Sequence, residues 1–137
     1  VVAMVLALLG KFTLLSAMDA ALIPFALLAG HAFSRLCSTA LLASMDYVRE
    51  DLLAKSKPLA TRLSPTAMLI AIGFVLPSLA ALPREKVIFA CFLASTATGW
   101  LALKFKRWLG GYTGDCLGAT QQVSEIAFYL GMLALWP

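Results

Sequence analysis

The run Lys104-Phe105-Lys106-Arg107-Trp108-Leu109-Gly110-Gly111-Tyr112-Thr113-Gly114-Asp115 sets three cations before a glycine-rich turn and a carboxylate after it. Glycine lets the backbone bend sharply and approach a ligand closely. Lysine and arginine attract anions, and arginine grips a phosphate with two parallel hydrogen bonds. A carboxylate placed there can hold a divalent cation or cap a helix. In that pattern Lys106, Arg107, Gly110, Gly111, Thr113 and Gly114 are candidates for cradling a phosphorylated substrate at a membrane surface, with Asp115 the candidate metal ligand. The alternative is an ordinary turn. Asp115 would then cap the next helix, and Gly114 and Gly118 would form the small-residue spacing that lets helices pack closely in lipid. No Gly-Lys-Ser/Thr follows the glycines, so the run is not a P-loop.

A second set of candidates lies inside apolar segments: Lys11, His31, Arg35 and Glu125. Ionisable side chains within a membrane helix cost about 2.5–3.5 kcal/mol each on insertion scales, which makes them functional candidates by default. His31 and Arg35 are four residues apart and share a helix face, with Ser34, Ser38 and Thr39 close to it. This polar stripe is expected to face the bundle interior or a watery cavity. Arg35, aided by Lys11, would grip a phosphate. Structural pairing of Arg35 or Lys11 with Glu125 is the alternative, and His31 reads more simply as a packed, hydrogen-bonded residue than as a base or ligand.

The elements that must position these residues follow from composition. The 137-residue chain is 61% hydrophobic and 13% charged, with a mean hydropathy of +0.89. Soluble domains average about 45–50% apolar and about 25% charged. The chain therefore reads as a membrane protein, one compact unit over 1–137. Its net charge of +4 does not imply nucleic-acid binding, because the cations flank apolar segments in the manner of cytoplasmic loops facing lipid headgroups. Cys37, Cys91 and Cys116 are too few and too scattered for a disulfide framework or a zinc site, and read as packing residues.

Five apolar segments can be marked: Val1 to Met18, Ala20 to Met45, Pro65 to Leu82, Val87 to Leu103, and Cys116 to Trp136. Runs this long in lipid are helices, so the expected fold is all-α, a polytopic transmembrane bundle of about five helices. Pro77 is expected to kink the third segment or end its helix early. The stretch 46–64, with Arg49, Glu50, Asp51, Lys55, Lys57 and Arg62, is either an amphipathic surface segment resting Leu52, Leu53, Leu59 and Leu63 on headgroups or a solvated loop. Four Lys/Arg in 46–64 and three in 104–107, against two in 83–86 and none near Asp19, place the first two on the cytoplasmic side. The amino end is then cytoplasmic and the carboxyl end outside. The chain begins within a hydrophobic segment, as part of a longer protein would.

Gly110-Gly111-Tyr112-Thr113-Gly114-Asp115-Cys116-Leu117-Gly118-Ala119 resembles the GGxTGDxxGA signature of the cobalamin synthase family, the adenosylcobinamide-GDP ribazoletransferases. The preceding Lys106-Arg107, the Ser34-Arg35 pair, Lys11 and Glu125 are further matches, in order along the chain. The resemblance implies a multi-pass enzyme of the bacterial inner membrane, dependent on Mg2+. It would join α-ribazole or its 5′-phosphate to adenosylcobinamide-GDP and release GMP, late in vitamin B12 assembly. It also implies a missing half. The family's aspartate-rich motif, DGxADxxDG, belongs to the amino-terminal half and does not occur here, where the aspartates are Asp19, Asp46, Asp51 and Asp115. The chain is accordingly expected to be a carboxyl-terminal half, inactive alone, with Asp115 completing a metal shell supplied by its missing partner. A non-catalytic packing module and a transporter fragment are the competing readings, though no inverted repeat or pair of broken helices marks a transporter.

Overall fold

The computed structural model describes residues 1–48 and 63–134. Five helices follow in order: α1 (Val2–Ser16), α2 (Ile23–Ser44), α3 (Pro65–Ala80), α4 (Arg84–Leu109) and α5 (Gly114–Ala134). No strand occurs among the described residues, and a single isolated bridge pairs Tyr47 with Tyr112. The expected all-α bundle is the fold found. Residues 49–62, most of the 46–64 stretch, lie outside the described residues, as do 135–137 at the end of the fifth segment.

Local chemistry sets the helix ends. Pro24 sits in the first turn of α2, where its missing N–H costs nothing. Ser64 caps α3 by accepting the Ala67 N–H at 3.2 Å, with Pro65 at the first helical position. Gly110 ends α4 in the left-handed conformation (φ 76°), donating its N–H to the Lys106 carbonyl at 3.1 Å. Thr113 caps α5: its hydroxyl accepts the Cys116 N–H at 3.4 Å.

One boundary differs from the sequence expectation. Hydropathy bounds the fourth segment at Val87 and Leu103, yet α4 runs from Arg84 to Leu109. Hydropathy marks where a helix is greasy, whereas helix geometry needs only the absence of a breaker, and none occurs before Gly110. Lys106 and Arg107 in the last turn also complement the helix dipole. The basic run is therefore helical, not part of the loop. Pro77, in turn, does not terminate α3, which continues as helix to Ala80. The turn beyond it is steadied by Ser78, whose hydroxyl donates to the Val75 carbonyl at 2.6 Å.

α5 is the central element. It packs on α4, α2 and α1, while α2 also packs on α3 and α4. Ala26 and Ala29 of α2 and Ala90 and Ala94 of α4 are fully buried, and Phe128, Tyr129 and Met132 of α5 fill the space those small residues leave. Contact is close enough that a Cβ on Gly30 would lie 2.5 Å from the Tyr129 ring, and one on Gly131 would lie 2.5 Å from the Ala90 Cα. A smaller cluster of Leu41, Tyr112 and Cys116 closes the end of the bundle that carries the glycine turn. α1 buries no residue. α2 and α4 are long and apolar enough to cross a membrane.

Candidate functional site

The turn between α4 and α5 is held from the far side of the chain. The Val48 N–H donates to the Tyr112 carbonyl at 2.9 Å, and the Tyr112 N–H donates to the Asp46 carbonyl at 3.0 Å. The segment leaving α2 is thus strapped to the glycine turn. Gly111 is required for this approach, because any Cβ there would run into the Asp46 carbonyl and the Val48 side chain. The Tyr112 ring is buried beneath the strap and meets Tyr47 edge-on at 5.5 Å. Burial, with Tyr47 and Asp46 nearby, pushes the Tyr112 hydroxyl above its ordinary pKa.

Around this fixed backbone most of the candidate groups are accessible, whereas Gly111 is buried under the strap and Thr113 is half-buried. Lys106 and Arg107 are exposed on the last turn of α4, and Asp115 is exposed on the first turn of α5. Gly110 and Gly114 are exposed between them. Cations, glycine backbone and carboxylate therefore share one end of the bundle, as the sequence pattern required. Two details differ from it. The Thr113 hydroxyl is engaged in capping α5 and donates to the Cys116 Sγ at 3.2 Å, so the cap is Thr113 and not Asp115. Lys104 is engaged over the rings of Trp100 and Trp108, 4.2 Å and 4.8 Å from their centroids.

The second candidate set divides. Lys11 donates to the Glu125 Oε2 at 2.8 Å, and both side chains are largely buried. The Tyr129 hydroxyl donates to the Glu125 Oε1 at 2.7 Å, and the His31 Nδ1 is 4.0 Å from Oε2. Lys11 thus takes the structural pairing with Glu125 that was the alternative to phosphate binding. The physical reason is its position. On α1, Lys11 faces α5, and a buried carboxylate there needs a counter-charge. Arg35 is exposed on α2 and forms no ion pair among the described residues. The inward face of α2 carries Ala26, Ala29, Gly30, Ser34, Cys37 and Leu41, so the His31–Arg35 stripe lies at its edge and outside it, not in the bundle interior. Arg35 is nine residues short of the end of α2, about 14 Å along the axis from the glycine turn's end. The fold thus keeps Arg35 well apart from the basic turn.

Tyr129 escaped the sequence reading, although its spacing of four from Glu125 was a visible signal. The strap through Asp46 and Val48 left no such signal. Among the described residues, no group of three His, Cys, Asp or Glu could hold a metal ion.

The chain matches the family described as cobalamin-5-phosphate synthase over residues 1–133, a span that includes both clusters. It belongs to that family. The match spans nearly the whole chain, so the Lys11–Glu125 pair and the strapped glycine turn are features of a family member's bundle. A Polaromonas sp. protein named adenosylcobinamide-GDP ribazoletransferase is 42% identical over 150 residues, covering 95% of this chain and 53% of the relative. Proteins of the same name from Shewanella woodyi and Shewanella frigidimarina are 37% and 42% identical, covering 96% and 80% of this chain and 52% and 42% of the relatives. The chain thus spans about half the length of the curated relatives it matches. No solved structure matches it.

Proposed function

We propose that this chain is about half, the carboxyl-terminal half, of a bacterial inner-membrane transferase that joins α-ribazole or its 5′-phosphate to adenosylcobinamide-GDP. The observation that carries the reading is the strapped glycine turn, flanked by exposed Lys106, Arg107 and Asp115, in a chain belonging to the cobalamin-5-phosphate synthase family. The names of the relatives supply the reaction. A ribazole oxygen bonds to the cobinamide-side phosphorus of the pyrophosphate, the bond to the second phosphate breaks, and GMP leaves.

Each residue has a definite part in this reading. Lys106 and Arg107 neutralise the charge that grows on the departing GMP. Gly110 and Gly114 keep side chains out of the way, so that phosphate oxygens reach the backbone, while Gly111 serves the turn by letting the strap close on it. Thr113 shapes the turn by capping α5. Arg35, out in the plane of the membrane, meets substrate or the rest of the enzyme. Lys11 anchors α1 instead of touching substrate. Magnesium would neutralise pyrophosphate charge when bound. The described residues do not build a site for it by themselves: Asp115 offers one carboxylate, and the remaining ligands would be substrate phosphates and groups from the other half.

The membrane reading draws on α2 and α4, together with the mean hydropathy of +0.89. The test is GMP release from adenosylcobinamide-GDP and α-ribazole phosphate with magnesium, in membranes containing this chain alone or with the unmatched part of the Polaromonas relative. Turnover only on co-expression, lost in Asp115→Ala, is expected. No GMP release with both parts inserted and associated would overturn the reading.

A further inference from the structure

Towards its end, α4 carries Trp100, Lys104 and Trp108, spaced by four and so stacked along one side of the helix. The Lys104 ammonium lies 4.2 Å from the centroid of the Trp100 ring and 4.8 Å from that of Trp108. We propose that this ammonium binds the phosphate of an anionic phospholipid, in the leaflet on the side of the glycine turn. The proposal rests on reading the chain as a membrane protein, and not on the transferase reaction.

The length of α4 sets the depth. Its 26 residues rise about 39 Å, and a bilayer's hydrocarbon core takes up about 30 Å of that. Residues 84 to 104 advance about 30 Å, with Arg84 at one end and Lys104 at the other. From Val87 to Leu103 no side chain is charged. The core therefore ends at Lys104, and the excess length, with Lys106 and Arg107, projects beyond it. Lipid headgroups begin at that level, which is also where membrane proteins concentrate tryptophan.

A second, independent feature is the exposure of the two rings. Trp100 is 55% and Trp108 72% exposed, and Phe92 and Leu103 are exposed on the same helix. Acyl chains cover such apolar surface, while the indole N–H suits a boundary that is dry on one side and wet on the other. The ring faces hold the ammonium without neutralising it. No carboxylate pairs with Lys104 among the described residues, so its charge is left for an external anion. Held between two rings, the side chain also has less freedom to lose on binding. With Lys106 and Arg107 in the next turn and a net charge of +4, this end favours an anionic headgroup over a zwitterionic one. Lys106, two residues on, lies on the opposite side of the helix, so lipid and substrate do not compete for one cation.

The test places the chain in phosphatidylcholine vesicles, with Trp136→Phe leaving Trp100 and Trp108 as its indoles. The vesicles contain equal minor fractions of either brominated phosphatidylcholine or brominated phosphatidylglycerol. Brominated acyl chains quench an indole on contact, so the ratio of the two quenching constants reads the preference for the anionic lipid at this face. A preference of about fivefold is expected, the size of one lysine's attraction to an anionic lipid surface. Lys104→Gln should lower it at least threefold, and Lys104→Arg and the distant Arg84→Gln should preserve it. Equal quenching by the two lipids would overturn the proposal. So would an equal loss in Lys106→Gln, since the preference would then belong to the whole basic end. Loss of the preference on adding inorganic phosphate at constant ionic strength would make the ligand a free anion instead. Absence of quenching by either lipid, in a chain that resists carbonate extraction, would show that protein covers the face. That protein is a second copy if the chain alone behaves so. It is the rest of the enzyme if protection appears only with the unmatched part of the Polaromonas relative present. A chain that carbonate strips from the vesicles would sink the membrane reading and this proposal together.

Discussion

At the scale of single residues, the buried ion pair is the feature whose chemistry is most constrained. Glu125 accepts from both Lys11 and Tyr129, and all three lie away from water. Removing one partner of such a pair strands a charge, at a cost of about 3–5 kcal/mol, whereas removing both is far milder. Lys11→Met should therefore lower the thermal stability of the detergent-solubilised chain strongly, Glu125→Gln similarly, and the double variant much less than the sum. Additive losses in a double-mutant cycle would show that Lys11 is not held by Glu125 in solution. Tyr112 behaves differently, because burial raises its pKa above the ordinary value of 10.0. Above pH 10 the unfolded chain loses the phenolic proton while the folded chain keeps it, so stability falls as pH rises from there towards the raised pKa. Below pH 10 both states are protonated and Tyr112 contributes no pH dependence. Tyr112→Phe should unfold less steeply between pH 10 and 11 than the unchanged chain, and an identical slope would show that the hydroxyl is not buried under the strap.

At the scale of elements, the bundle end is organised by three glycine positions with different duties. Gly110 needs its positive φ to stop α4. Gly111 needs its missing side chain to let Asp46 and Val48 approach. Gly118, a turn into α5, is exposed and needs neither. Gly111→Ala is predicted to break the strap and expose the segment after α2. Hydrogen exchange at the Tyr112 and Val48 amides would then be faster by at least tenfold, since both protons are held in the bridge. Unchanged protection would mean that the close approach is not rigid. The helices themselves were legible because long apolar runs permit little else, and the glycine turn was legible because its residue types are scarce elsewhere in the chain. The strap was hidden, since a backbone bridge between Tyr47 and Tyr112 depends on where two helices end in space. The end of α4 was hidden for a related reason: its last two turns are polar enough to read as loop, yet nothing there breaks a helix. Arg35 and Lys11 looked equivalent as intramembrane cations, and only the packing of α1 on α5 separates a buried anchor from an exposed residue.

At the scale of the whole molecule, the strap fixes which ends lie together. The turn at Gly110–Thr113 and the residues after α2 are at one end, so the turns at 17–22 and 81–83 are at the other. The charge count sets the expectation that the end carrying the glycine turn faces the cytoplasm. It also sets a depth scale. α1 covers about 22 Å, less than the roughly 30 Å of a bilayer's hydrocarbon core, and Lys11 meets Glu125 near the middle of the bundle. The pair is largely buried where α1 packs on α5. The expected topology is testable by single-cysteine labelling in intact cells, after Cys37, Cys91 and Cys116 are replaced by serine. Asp19→Cys and Glu85→Cys should react with an impermeant thiol reagent from outside, and Tyr47→Cys and Gly110→Cys only after the cells are opened. Asp19 and Tyr47 bracket the same helix, so both reacting from one side would show that α2 does not cross the membrane. Reversal of all four would keep the bundle intact and place the glycine turn, with the phosphate binding proposed for it, on the outer face.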